Sequence, residues 1–125
     1  MSNTDNAAFD LYVCKKMQGK ADNARERGIE FNLSFQAMKN ILRAKHCYYT
    51  GVLLTKPRQG KPLRASDITI ERVDPSLGYV IGNCVAACYA ANNIKSQLES
   101  AGLTGLKAGR NIFNKAIKRI EGKKK

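Results

Sequence analysis

T-I-E-R-V-D-P-S-L-G-Y-V-I-G-N-C-V-A-A-C-Y-A-A-N-N-I-K, residues 69 to 95, changes its periodicity twice, and those changes decide the fold. Ile68 to Val73 alternates β-branched and polar residues as a half-buried strand does, and Asn83 to Cys88 reads as a second strand. Between them D-P-S-L-G-Y is a turn sequence, with Pro, Ser and Gly where a chain reverses. From Tyr89 to about Glu99 the pattern becomes helical, placing Ala91, Ile94 and Leu98 on an inward face and Asn92, Ser96 and Glu99 on the opposite one. The expected unit is two strands and a helix, with Glu71, Asn83 and Asn92 as polar landmarks.

Upstream, Ala7 to Arg27 reads as a helix with Phe9, Tyr12, Val13 and Met17 on one face and Lys15, Lys16 and Lys20 outside it, stopped by Gly28. Ile29, Phe31 and Leu33 alternate with polar neighbours as a short extended segment. Ser34 is the N-cap of a helix that carries Met38, Ile41 and Leu42 and ends near Ala44. H-C-Y-Y-T-G follows from His46, and then the basic loop K-P-R-Q-G-K-P, in which Arg58 and Lys61 are candidate phosphate contacts. Downstream, S-A-G-L-T-G reads as a hinge before a last helix from Leu106 to Glu121. That helix has an apolar stripe of Phe113, Ala116, Ile117 and Ile120, and a second stripe of Lys107, Arg110, Asn111, Asn114 and Lys118. The terminal G-K-K-K is expected to fray.

The 125 residues suffice for one hydrophobic core. The reading divides them into an N-terminal helical region (1–45), a ββα core (46–100) and a basic C-terminal helix with its tail (101–125). With 22 Lys and Arg against 10 Asp and Glu, the formal charge is +12. Such a charge attracts polyanions, which makes nucleic acid, DNA or RNA, the leading partner. No apolar run approaches the roughly 18 residues of a spanning helix, and Met1 to Asp10 lacks the basic and apolar parts of a secretory signal. A cytoplasmic location is the expectation; the sequence leaves the oligomeric state open.

Cys14, Cys47, Cys84 and Cys88 include no Cys-x-x-Cys pair, so neither a disulfide framework nor a structural zinc site is expected. Phosphodiester hydrolysis uses a divalent metal to stabilise charge on oxygen, together with an activated water. A carboxylate and an amide oxygen on neighbouring elements form a hard-oxygen site suited to magnesium or manganese. Glu71 on a strand and Asn92 on the following helix supply those groups.

That order resembles the HNH endonucleases, whose ββα-metal fold has a strand ending in Asp-His-Ile or a variant, a loop, a strand opened by Asn, and a helix bearing His or Asn. The stretches A-R-E-R-G-I-E-F-N-L-S-F, H-C-Y-Y-T-G, E-R-V-D-P-S-L-G-Y-V-I-G-N and N-N-I-K are similar to the small HNH proteins of bacteriophages, over roughly Ala24 to Gln97. The resemblance implies an α+β fold and a metal-dependent DNA endonuclease. It makes Glu71 and Asn92 the metal ligands, Asn83 the brace of the inter-strand loop, and Lys95 a phosphate contact. Many relatives add structural zinc on two Cys-x-x-Cys pairs; here the equivalent places are Cys47 with Thr50 and Cys88 with Ala91, so half the ligands are missing.

Arg72 stands where the family has its general-base histidine, and a guanidinium stays protonated and cannot accept a proton from water. It is read instead as a clamp on phosphate charge. The base would then be Asp74, His46 or a metal-bound hydroxide. The competing expectation is a non-catalytic nucleic-acid-binding protein that keeps the fold and has lost the base.

Overall fold

The computed structural model describes residues 3–123. Helix α1 (Asn3–Glu26) and helix α2 (Phe35–Leu42) precede strands β1 (Ile68–Arg72) and β2 (Cys84–Cys88), which are followed by helices α3 (Tyr89–Glu99) and α4 (Gly102–Lys123). This is the α+β arrangement expected from the sequence, with a ββα unit between flanking helices. Among the described residues no helix is long and apolar enough to cross a membrane.

Helix α1 ends as Gly28 requires. At φ 67° that glycine takes the left-handed conformation, while Ile29 N donates to Ala24 O (2.8 Å) and Gly28 N to Arg25 O (3.2 Å), satisfying the last carbonyls. Ser34 caps α2: its side chain accepts from Ala37 N at 3.1 Å. The segment between them is not a strand. Only Phe31 bridges, in parallel, to Tyr79, with Asn32 N donating to Tyr79 O and Tyr79 N to Glu30 O. Gly78 lies so close to this segment that a Cβ there would stand 2.5 Å from Glu30 O.

The hairpin is antiparallel, with Ile68 opposite Cys88 and Arg72 opposite Cys84. Ile68, Ile70 and Ala86 join Val13, Ala24, Leu33, Met38, Leu42 and Tyr79 in the main hydrophobic cluster, so α1, α2 and the hairpin share a core. Cys47, Ala87, Cys88 and Ala91 form a second, smaller cluster where β2 enters α3. The long connection from α2 to β1 is pinned by Asp67, whose side chain is fully buried. Asp67 accepts from Thr55 Oγ1 (2.7 Å), Arg64 N (2.8 Å) and Arg64 Nε (3.1 Å), and these bonds, Thr55 foremost, hold its carboxyl below the usual aspartate value. The base of the loop carrying Arg58 and Lys61 is fixed in this way.

The last helix departs from the expected reading. It begins at Gly102, not Leu106, so the supposed hinge shrinks to Ser100 and Ala101. Gly105 and Gly109 explain this, because they bring α4 against Leu98: a Cβ on Gly105 would collide with the Leu98 carbonyl, and one on Gly109 would lie 2.7 Å from Leu98 Cδ1. Beyond that contact α4 runs out alone. Phe113, Ile117 and Ile120, expected as a packed stripe, remain 46%, 50% and 50% exposed. The G-K-K-K end falls partly outside the described residues; Gly122 and Lys123 continue the helix.

Candidate functional site

Strand alternation turns Ile70 into the core and Glu71 away from it, toward α3. There the Lys95 ammonium stands between two carboxylates, 3.8 Å from Glu71 Oε1 and 2.8 Å from Glu99 Oε1, and also donates to Arg72 O at 3.4 Å. The side chains of Glu71 and Lys95 are 14% and 15% exposed, so this pair is poorly solvated. Glu71 Oε2 is buried and has no hydrogen-bond partner among the described residues. Burial raises the Glu71 carboxyl above the ordinary glutamate value; Glu99 adds to the effect, while Lys95, Lys20 and Arg72 oppose it. An acceptor oxygen sequestered without a donor is costly to a fold unless something else uses it.

Asn92 lies on the same α3 face, one turn before Lys95, half-buried, and its amide makes no hydrogen bond among the described residues. Tyr49 closes another side, with its ring 5.7 Å from Lys95 Nζ. Its phenol is pushed up to about 12 by burial and then by the charges of Glu71 and Glu99, so it stays protonated at neutral pH. Lys20 of α1 lies within electrostatic reach of Glu71, and burial lowers its ammonium below the usual lysine value.

The face of α3 read as pointing away from the core is therefore the one turned to β1. Glu99 was read only as a residue of that face, and Tyr49 and Lys20 not as site residues at all. The signal for Glu99 was its spacing, four residues after Lys95 and seven after Asn92.

Arg72 projects to the other side of the hairpin. One of its terminal nitrogens, Nη1, donates to Pro75 O and Leu77 O, both at 3.0 Å, and its guanidinium carbon is 5.3 Å from the Tyr79 ring centre. Its polar contacts are thus with the inter-strand loop. Asp74 belongs to the same loop: its Oδ1 accepts from Ser76 N (2.9 Å) and Ser76 Oγ (2.6 Å), bonds that hold its carboxyl below the usual value. Asn83 fastens the loop from the far end. Its Oδ1 accepts from Asp74 N (2.9 Å), while Nδ2 donates to Asp74 O (3.1 Å) and Gly78 O (2.9 Å). His46 is exposed and bridges to Leu53, outside the Glu71 cluster. Arg58 and Lys61 lie exposed in the 56–62 loop, and Lys107, Arg110 and Lys118 along the exposed flank of α4.

As for a divalent ion, the donors are of a suitable kind, the Glu71 and Glu99 carboxylates and the Asn92 amide oxygen, but among the described residues no group of three or more His, Cys, Asp or Glu side chains gathers as a metal site. Lys95 already supplies a positive charge between the two carboxylates. The four places equivalent to relatives' zinc ligands also converge. Cys88 N donates to Cys47 Sγ (3.3 Å), Thr50 Oγ1 is 4.0 Å from Cys88 Sγ, and Ala91 packs in the same cluster. Burial opposes ionisation of Cys47, but hydrogen bonds from Thr50, Cys88 and Tyr49 outweigh it and bring the thiol down to about 7. Two thiols, a hydroxyl and a methyl do not make a four-donor site. Replacing Thr50 and Ala91 together by Cys should complete one, so that added zinc raises the melting temperature of the double variant by several degrees and leaves the wild type unmoved. An unmoved double variant would mean the four positions lack tetrahedral geometry.

No family model matches the chain. It is 30% identical over 112 residues to an uncharacterized 29.0 kDa protein in the dda-modA intergenic region of Enterobacteria phage T4, an alignment covering 85% of this chain and 43% of that protein. It is 32% identical over 75 residues to an uncharacterized protein of Acanthamoeba polyphaga mimivirus, covering 60% of this chain and 12% of that one. The chain thus spans less than half the length of either viral relative. Among solved structures it is similar to the rare-cutting HNH restriction endonuclease PacI, with a TM-score of 0.53 at 22% identity over 79% of this chain and 81% of PacI. At that identity the likeness is one of fold: the chain shares the α+β fold of that HNH endonuclease.

Proposed function

We propose that the protein is a metal-dependent endonuclease that hydrolyses phosphodiester bonds in DNA at the Glu71 cluster. The observation that carries this reading is Glu71 Oε2, a buried acceptor without a donor, on the strand of an HNH fold. Glu71 and Asn92 would hold the ion, magnesium or manganese, with Glu99 at the edge of the same cluster. Once bound, the ion supplies Lewis-acid stabilisation of charge on the phosphate oxygens. Lys95 would orient the scissile phosphate. Arg72 and Asn83 act by holding the inter-strand loop, and thereby the end of β1 from which Glu71 emerges. The test is incubation of supercoiled plasmid with purified protein and magnesium or manganese, scored for open circles.

A second reading rests on Lys95. Its ammonium already supplies the cluster with a cation, which suits a protein that binds DNA and does not cut it. Metal-independent retardation of DNA without nicking in either metal supports this reading and sinks the first.

Under both readings α4 contributes phosphate contacts through Lys107, Arg110 and Lys118. Changing all three to Gln should weaken DNA binding and flatten the slope of log K against log salt by about 0.9 per lost contact. An unchanged slope would reduce this flank of α4 to a solvated surface.

A further inference from the structure

One hollow of the molecule lies away from the Glu71 cluster. A cleft of about 630 Å³ lies between α1 and the 56–62 loop, and its lining includes Tyr12, Lys15, Lys16, Lys56 and Arg58. Among the described residues no carboxylate lines it. Two of its cations embrace one ring: Lys56 Nζ is 4.3 Å and Lys16 Nζ 5.7 Å from the centre of Tyr12. A second hollow of about 180 Å³ shares Tyr12 and Lys16 with the first and continues along α1 to Lys20 and, on β1, Thr69 and Ile70. Thr69, in the lining of this hollow, lies on the Glu71 face of β1, two residues before it, and Lys20 is one of three cations, with Lys95 and Arg72, that act on the Glu71 charge. Lys16 and Lys20 are four residues apart on one helix face, about 6 Å along the axis, close to the separation of successive phosphates on a strand.

Lysines scattered over a convex helix are ordinarily solvated and mean little. These cations differ in that two segments far apart in sequence converge on a concave surface. None of Lys15, Lys16, Lys20, Lys56 or Arg58 is within ion-pair distance of a carboxylate among the described residues; the ion pairs there engage Arg25, Lys39, Arg64 and Lys95. Like charges gathered around a hollow repel one another, and a polyanion laid in the hollow relieves that repulsion.

We infer that the cleft between α1 and the 56–62 loop is a second DNA-binding site, a phosphate track in which Lys56, Arg58, Lys16 and Lys20 in turn lead one strand toward Glu71. The inference rests on the proposed nuclease reading for the track's destination, while its existence is independent of cleavage. The Tyr12 ring and the aliphatic stems of the lysines line the track and contribute apolar contact with sugars. Because the contacts are to phosphates, the track favours no base sequence.

The experiment uses the full chain with EDTA present, so that cleavage does not enter. Lys16, Lys56 and Arg58 are changed together to Gln, and binding of a duplex of about 20 base pairs and of one of its single strands is measured across a salt series. The expected result is affinity at least tenfold lower at low salt, with the slope shallower by about 0.9 per lost contact on duplex or about 0.7 on the single strand. A larger loss on the single strand assigns the track to unpaired DNA; a larger loss on the duplex assigns it to one strand of intact DNA. Unchanged affinity and slope on both ligands overturn the inference. As a check on position, a photoreactive benzoyl-phenylalanine at Leu11, in the cleft, should crosslink DNA, and one at Leu53, exposed elsewhere, should not. Equal crosslinking from both positions also overturns it. If the wild type binds with these features yet never nicks plasmid, the nuclease reading fails and the track stands.

Discussion

Glu71→Gln should abolish metal-dependent nicking of supercoiled DNA and, in the same variant, raise thermal stability. Both effects follow from one atom, the buried and unpartnered Oε2. Gln is nearly isosteric with Glu, so it keeps the packing, but it carries no charge to hold a divalent ion. Several kcal/mol of lost transition-state stabilisation corresponds to a fall of about a thousandfold or more in rate.

The stability gain has its own signature. A carboxyl whose folded value lies above its unfolded one holds its proton more tightly in the native state. Its favourable contribution is fully present below the ordinary glutamate range and is lost as pH rises through the raised value. At neutral pH the wild-type protein therefore keeps a charge where burial opposes it, and Lys95 at 3.8 Å offsets that only in part. The melting temperature of Glu71→Gln should exceed that of the wild type by a few degrees near pH 8 and by less near pH 4. An equal gap at both values would place the cause elsewhere than in the charge. Loss of nicking together with lower stability would make Glu71 a structural residue.

What the sequence revealed and what it hid divide along physical lines. The ββα unit was legible because periodicity is local: Ile68 to Arg72 alternates, Tyr89 to Glu99 repeats helically, and the observed ends lie within a residue or so of those expected. Gly28 and Ser34 were legible for the same reason, since each terminates a helix through its own backbone or side chain. The start of α4 was not. Glycines at 102 and 105 read as part of a hinge, and the Leu98 backbone and side chain against which Gly105 and Gly109 pack belong to another helix. The Glu71 cluster lay between these cases. Glu71, Asn92 and Lys95 have landmark spacing, but Tyr49 and Lys20 arrive from segments whose approach only the tertiary structure defines. Arg72 marks the limit of reading by position. Its place in the motif suggested phosphate chemistry, and its geometry shows a guanidinium bonded to two carbonyls of its own loop.

Asn83→Ala should be the most destabilising single substitution in the inter-strand loop. Asn83 is 5% exposed, and its amide makes three hydrogen bonds, one accepted from Asp74 N and two donated to Asp74 O and Gly78 O. Truncation to a methyl leaves one backbone N–H and two carbonyls to find other partners in a part-buried place, at a cost of about 2–4 kcal/mol. In a chain of this size that lowers the melting temperature by about 10 °C or more. Asn83→Asp separates shape from chemistry. Ionised, it still accepts from Asp74 N but turns a negative oxygen toward two carbonyls, so it should be as unstable as Ala near neutral pH; protonated, it donates once and recovers part of the loss in acid. Hydrogen exchange should localise the damage to the Val73–Asn83 loop and the ends of β1 and β2, while α4, which among the helices and strands contacts only α3, keeps its protection. A fall of only a few degrees in Asn83→Ala would mean that Arg72, through Pro75 O and Leu77 O, holds the loop by itself.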